Sequence, residues 1–235
     1  MNKGALLVKF VWLNFICGAF FITLITGCSS NKGLQEMSSP EPFDMIDISR
    51  HQGHINWKKV ASDDRIKYVY IKGTEGGTYQ DPNYEYNLKN ARKRGLKVGT
   101  YHFFRTSSSV WLQFLNIMTH TPRKKQDLVP VIDVEECKNW NREQLRDSLS
   151  LLARLIEREY GKKPIIYSGQ NFYNLYLSQK FEYYPLWIAR YGAAPPNINV
   201  APVIWQFTQR GRVKGISTYV DLNRVFPETS DFIEL

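Results

Sequence analysis

Two carboxylates one residue apart, Asp133 and Glu135, close the apolar run Leu128-Val-Pro-Val-Ile-Asp-Val-Glu. The run reads as a buried strand that ends in charge. Residues i and i+2 of a strand point to the same face, so the two acids project together. Each then perturbs the other's pKa, which lets one carboxyl stay protonated as an acid while another stays ionised. Glycosidic bond hydrolysis requires such a pair. The plainer reading is a strand end running out into solvent, where acids are common.

What must position these residues is a set of eight short apolar or β-branched runs, at 43–49, 67–72, 97–103, 128–133, 164–167, 186–189, 203–207 and 218–221. Helical patterns separate the early runs. Asp81 and Pro82 offer an N-cap and an N1 proline, Tyr84, Leu88 and Ala91 share one helical face, and Gly95 stops the pattern. Asn141 with Gln144 forms a second capping signal. Leu145, Leu149, Leu152 and Ile156 follow at helical spacing, and Gly161 ends that helix. After Tyr191 no helix-length periodicity remains. This order predicts an α/β fold, an irregular (β/α) TIM-like barrel of eight strands whose helices are missing after the later strands. An open doubly wound sheet is the alternative, but no Gly-rich phosphate loop supports it.

In a barrel enzyme the reacting groups come from the C-terminal ends of several strands. Those ends supply Asp47 from the first strand, Asp133 and Glu135 from the fourth, and Asp221 from the eighth. Tyr101, His102, Tyr167, Trp187, Tyr191, Trp205 and Gln206 join them. Acids ringed by Tyr and Trp suit a sugar, because aromatic faces cover the apolar C–H faces of pyranoses. Core packing is the competing role for each aromatic, and a satisfied structural histidine the competing role for His102. Glu75 is expected to hold the loop after the second strand by accepting backbone hydrogen bonds. His51 and His54 lie three apart with no further Cys or His cluster, so neither a metal nor another cofactor is expected.

Residues 1–27 carry Lys3 and Lys9, no acid and an apolar stretch ending in Ile25-Thr26-Gly27, the pattern of a secretory signal. With Cys28 the ending resembles a bacterial lipobox, which implies cleavage before Cys28 and its lipidation. An uncleaved membrane anchor is the alternative. Residues 28–42, polar and rich in Ser and Pro, read as a flexible tether, and 43–235 as the domain. Removing residues 1–27 takes away two lysines and lowers the formal charge from +9 to +7. That balance suits an anionic partner such as cell wall or membrane, or simply a solvated basic surface. No basic cluster with interleaved aromatics argues for nucleic acid. Cys17 leaves with the signal and Cys28 is the lipid site, so Cys137 has no disulfide partner. It reads as a bystander, with a nucleophile as the alternative.

The stretch Asp47-Ile-Ser-Arg-His-Gln-Gly-His-Ile-Asn-Trp57 resembles the opening motif of glycoside hydrolase family 25, the muramidase-type lysozymes. The resemblance continues, in order, through Ile71-Lys-Gly-Thr-Glu-Gly76, Asp81, Val98-Gly-Thr-Tyr-His-Phe103, Val131-Ile-Asp-Val-Glu135, Pro164-Ile-Ile-Tyr167, Pro185-Leu-Trp-Ile-Ala189, Trp205-Gln206 and Val220-Asp-Leu-Asn223. It passes over 105–120, which matches poorly. It implies hydrolysis of the β-1,4 bond between N-acetylmuramic acid and N-acetylglucosamine, with Glu135 as general acid, Asp133 as its partner, and Asp47 and Asp221 as flanking acids. The expected partners are peptidoglycan strands and, through Cys28, a membrane of the cell envelope; the expected state is a monomer. Two alternatives remain: a chitinase-like N-acetylhexosaminidase, and a wall-binding lipoprotein without activity. The opening and closing motifs argue against the first, the intact acids against the second.

Overall fold

The computed structural model describes residues 42–192, 194 and 201–235. The signal segment, Cys28 and all of the tether but Pro42 lie outside the described residues. Nine strands occur among the described residues: β1 (Met45–Ile48), β2 (Tyr68–Glu75), β3 (Tyr79–Gln80), β4 (Lys97–Phe103), β5 (Val131–Asp133), β6 (Ile165–Gly169), β7 (Leu186–Ala189), β8 (Ile204–Gly211) and β9 (Val220–Val225). Their order is β1-β9-β8-β7-β6-β5-β4-β2-β3, and β1 also pairs with β2. The sheet therefore closes into a barrel of eight strands, with β3 a two-residue addition hairpinned onto β2.

The expected α/β barrel is present, with one change of direction. The last strand begins at Val220 and runs antiparallel to both β8 and β1. Asp221 thus lies near the start of its strand rather than at its end, and the reversal brings it level with Asp47.

Helices α1 (Trp57–Val60), α2 (Tyr84–Arg92), α3 (Val110–His120) and α4 (Arg142–Tyr160) cover the earlier strands. Asn141 and Gln144 form the expected reciprocal cap of α4, and Gly161 ends it in the left-handed conformation. α2 starts two residues later than the sequence suggests. The Asp81 carboxylate instead accepts from the backbone N–H groups of Arg50 and Asn83, tying the β1 loop to this turn. α3 has no counterpart in the sequence reading; Ser109 caps it by accepting from the Leu112 N–H. Among the described residues, a short helix and a π turn through Leu177 follow β6, and a 3-10 turn at Pro227–Phe232 follows β9.

Alternation along each strand divides the core. Met45, Tyr70, Val131, Ile165, Trp187, Ile204 and Val225 fill the barrel interior. Ile46, Val69, Val98, Trp205, Phe207 and Leu222 face outward beneath α1 and α2, and Ile132, Ile166 and Ile188 pack under α4. Gly99 is required inside: a Cβ there would stand 2.3 Å from the Tyr70 ring. That space lets Tyr70 cross the barrel, where its hydroxyl donates to Val129 O at 2.9 Å and its ring meets Trp187. These rings floor the mouth above them.

Candidate active site

A cavity of about 370 Å³ opens at the mouth and is lined by Asp47, Tyr101, Asp133, Glu135, Tyr167, Trp187, Tyr191, Gln206 and Asp221. A second, of about 250 Å³, adjoins it and shares Glu135, Tyr167 and Tyr191. The two make one groove in which Glu135 stands at the junction.

Two of the expected lining residues lie elsewhere. His102 follows the inward Tyr101 on β4, so it points outward; it is buried, with Nδ1 2.7 Å from the Thr74 hydroxyl and Nε2 3.0 Å from Gln113 Oε1. Burial lowers its pKa to about 4, leaving a neutral ring. Trp205 precedes the inward Gln206, packs against Phe207 outside the barrel and donates its indole N–H to Arg190 O. Neighbours on one strand cannot both face the groove. Both residues are therefore reassigned from sugar contact to structure.

The groove also contains Lys72, Phe103 and Gln209, and Ser49, His51 and Gln52 of the β1 loop, none of which the sequence reading placed there. Asn223 lies just beneath. Alternation was the available signal, because Lys72 shares the parity of Tyr70, and Asn223 that of Asp221. Glu75 is structural through ions rather than backbone hydrogen bonds. It pairs with Lys72 at 2.5 Å and Arg105 at 2.7 Å, while Arg105 also reaches Glu136 at 2.8 Å and lies over the Phe103 ring. This network fixes the rim beside Glu135.

A hydrogen-bond chain organises the acids. Asp47 Oδ1 accepts from Asn223 Nδ2 at 2.7 Å and Gln206 Nε2 at 3.2 Å. The Tyr167 and Tyr191 hydroxyls donate to Gln206 Oε1 at 3.0 and 3.3 Å, which settles which way the amide faces. Trp187 Nε1 donates to Asn223 Oδ1 at 2.9 Å and fixes the second amide. Tyr167 also bonds Glu135, and Glu135 bonds Asp133.

Burial raises all four acids. Asp47 rises to about 6, because desolvation outweighs its two amide donors. Asp221, desolvated and facing Asp47, rises to about 8 and is the protonated member of that pair. Glu135 is raised, chiefly by desolvation. Asp133, fully buried and then repelled by Glu135, is raised further. Burial thus raises both members of this hydrogen-bonded pair, which titrates as one unit. Asp133 Oδ1 has no hydrogen-bond partner among the described residues. Such an atom is costly unless something arrives to fill it.

Raised carboxyls make the groove a pH-dependent weakness. For Asp221 the folded value, about 8, exceeds the ordinary 3.8, so its contribution to stability is full below about pH 4 and lost as pH rises through 8. Asp221→Asn removes the ionisation yet still donates to Asp47. It should melt higher than the wild type at pH 8, by on the order of 2 kcal/mol, and by much less at pH 4. An equal difference at both pH values in thermal unfolding would contradict the assignment.

The profile of "Glycosyl hydrolases family 25" matches residues 46–216. The chain is 38% identical over 183 residues to the Escherichia coli (strain K12) protein YegX, described as uncharacterized, spanning 76% of this chain and 67% of YegX. It is 33% identical over 180 residues to the autolytic lysozyme of Clostridium acetobutylicum, spanning 76% of this chain and 54% of that one. A family 25 glycosyl hydrolase structure from Bacillus anthracis superposes with a TM-score of 0.73 at 32% identity, covering 80% of this chain and 92% of the other.

Proposed function

The chain belongs to glycosyl hydrolases family 25, and from that premise we propose that it is a peptidoglycan muramidase, cleaving the β-1,4 bond between N-acetylmuramic acid and N-acetylglucosamine. The observation that carries this is the position of Glu135: at the junction of the two cavities, hydrogen-bonded to a buried carboxyl. A glycan laid along the groove places one glycosidic oxygen beside that side chain.

Asp133 serves the sugar's 2-acetamido group rather than attacking the anomeric carbon. Asp133 ends β5 and Glu135 follows just beyond it, hydrogen-bonded to it on one wall of the groove, whereas attack needs a carboxylate on the opposite face of the sugar. The unpartnered Oδ1 supports this role, since an acetamide N–H would satisfy it. Accepting that N–H favours ionised Asp133 and so keeps the pair's proton on Glu135. Glu135 then protonates the departing oxygen as the bond breaks. Asp47 and Asp221, across the mouth, hold the incoming water or the bound sugar. The aromatic walls of Tyr101, Tyr167, Trp187 and Tyr191 cover sugar faces, and Gln206 keeps Asp47 and the tyrosines in register. All these groups come from one chain, which fits action as a monomer.

The first test is clearing of a purified peptidoglycan suspension. Loss of turbidity is expected; an unchanged suspension would mean a binding protein only.

The lipobox-like ending before Cys28 supports processing at that cysteine and attachment to a membrane of the cell envelope. Several acyl chains hold a protein firmly where one would not. Expressed in a bacterium, the full chain should take up labelled fatty acid and Cys28→Ala should not; equal labelling of the two rules the anchor out.

A further inference from the structure

The smaller cavity exists because two neighbouring strands end in the smallest residues. Gly169 and Ala189 are register partners at the ends of β6 and β7. Each stands two positions beyond an inward ring, Tyr167 and Trp187, whose centroids lie 5.0 Å apart. Alternation therefore aims both positions into the mouth, one tier above those rings. Gly169 has φ -64°, which any residue adopts, and a Cβ there would meet nothing within 4 Å. Neither the backbone nor a neighbour requires glycine; what the missing side chain leaves is room. Phe172, in the short helix after β6, walls this space, its ring braced on Tyr176 with centroids 4.6 Å apart.

Charge is divided unequally between the two cavities. Asp47, Asp133, Asp221 and Lys72 line the larger one, and none of them lines the smaller. Among the described residues, Glu135 is the one charged group that lines the smaller cavity, and it lines the larger as well. Glycoside cleavage is just as unequal. The sugar that keeps its anomeric carbon develops positive charge there and needs carboxylates about it. The departing sugar leaves as a neutral alcohol and needs only a proton on its oxygen. Exchanging the two sugars would set the developing charge among Gly169, Phe172 and Ala189, with no carboxylate but the acid.

Starting from the muramidase reading, on which this rests, we propose that the cavity over Gly169 and Ala189 is the leaving-group site. It seats an uncharged N-acetylglucosamine ring, while N-acetylmuramic acid occupies the larger cavity. The glycan strand then runs with its reducing end out over β6 and β7. The bond between C1 of N-acetylmuramic acid and O4 of N-acetylglucosamine breaks, and the Glu135 proton goes to O4. Water supplies the hydroxyl that C1 gains, and its other proton restores Glu135. Phe172 and Tyr191 offer ring faces to the departing sugar. Gly169 is the specificity-determining position, because a side chain there takes up the sugar's room.

The experiment compares two substrates that differ in what leaves. One is purified peptidoglycan; the other is the disaccharide fluoride N-acetylglucosaminyl-β-1,4-N-acetylmuramyl fluoride. In the second, water replaces fluoride at C1, hydrogen fluoride is released, and no departing sugar needs a seat. Gly169→Val should lower the ratio of peptidoglycan clearing to fluoride release by about tenfold or more, with the melting temperature unchanged. Phe172→Ala should lower the same ratio several-fold by removing one wall, and it decides the matter where the valine variant fails to fold. Equal losses on both substrates overturn the proposal, because the cavity then serves the sugar that stays. Unchanged clearing by folded variants also overturns it, as does a wild type that clears peptidoglycan but releases no fluoride. A wild type inactive on both substrates instead sinks the muramidase reading, and the proposal falls with it.

Discussion

Glu135→Gln should clear peptidoglycan roughly a hundredfold or more slowly than the wild type while melting at nearly the same temperature. The amide keeps the side chain's shape and its contacts with Tyr167 and Asp133, but it has no proton to give a departing oxygen. The effect should fall on kcat, because the lost interaction exists only in the transition state. Near-normal clearing by a folded Glu135→Gln protein removes this residue from the role of acid.

Asp133→Asn should be almost as damaging, for a different reason. Burial raises both carboxyls of this hydrogen-bonded pair, and the charge of Glu135 raises Asp133 as well, so the two titrate as one unit. Glu135 is the competent acid when the negative charge of the pair lies on Asp133. Asparagine cannot take that charge, and its amide would donate permanently to Glu135 and hold it ionised. A loss of about a hundredfold is expected, with the alkaline limb of the kcat/KM profile moved to lower pH. An unchanged profile would show that Asp133 does not govern the state of Glu135.

Most of the groove was legible because its chemistry sits on strands, where spacing dictates facing. Asp133 and Glu135 share parity, as do Asp221 and Asn223, and all of these reach or adjoin the mouth. His102 and Trp205 were misplaced by the same rule left unapplied, since their neighbours Tyr101 and Gln206 already claimed the inward face. The antiparallel last strand was not legible, because apolar alternation reads the same in both directions. Nor was α3, whose two-sided apolar character hides a helical period. The raised pKa values of Asp133 and Glu135 depend on depth of burial, which no spacing encodes. Ion pairs such as Arg105 with Glu75 and Glu136 bring together residues 30 and 31 positions apart, joined only by strand pairing.

The most direct test of the muramidase reading is the identity of the new chain ends. Purified peptidoglycan is digested with the protein, the fresh reducing ends are reduced with borohydride, and the sugar alcohols are identified after hydrolysis. Glu135 acting on the β-1,4 bond that follows N-acetylmuramic acid predicts that muramitol accumulates with digestion. Accumulation of glucosaminitol instead, or solubilisation with no new reducing ends, would contradict it.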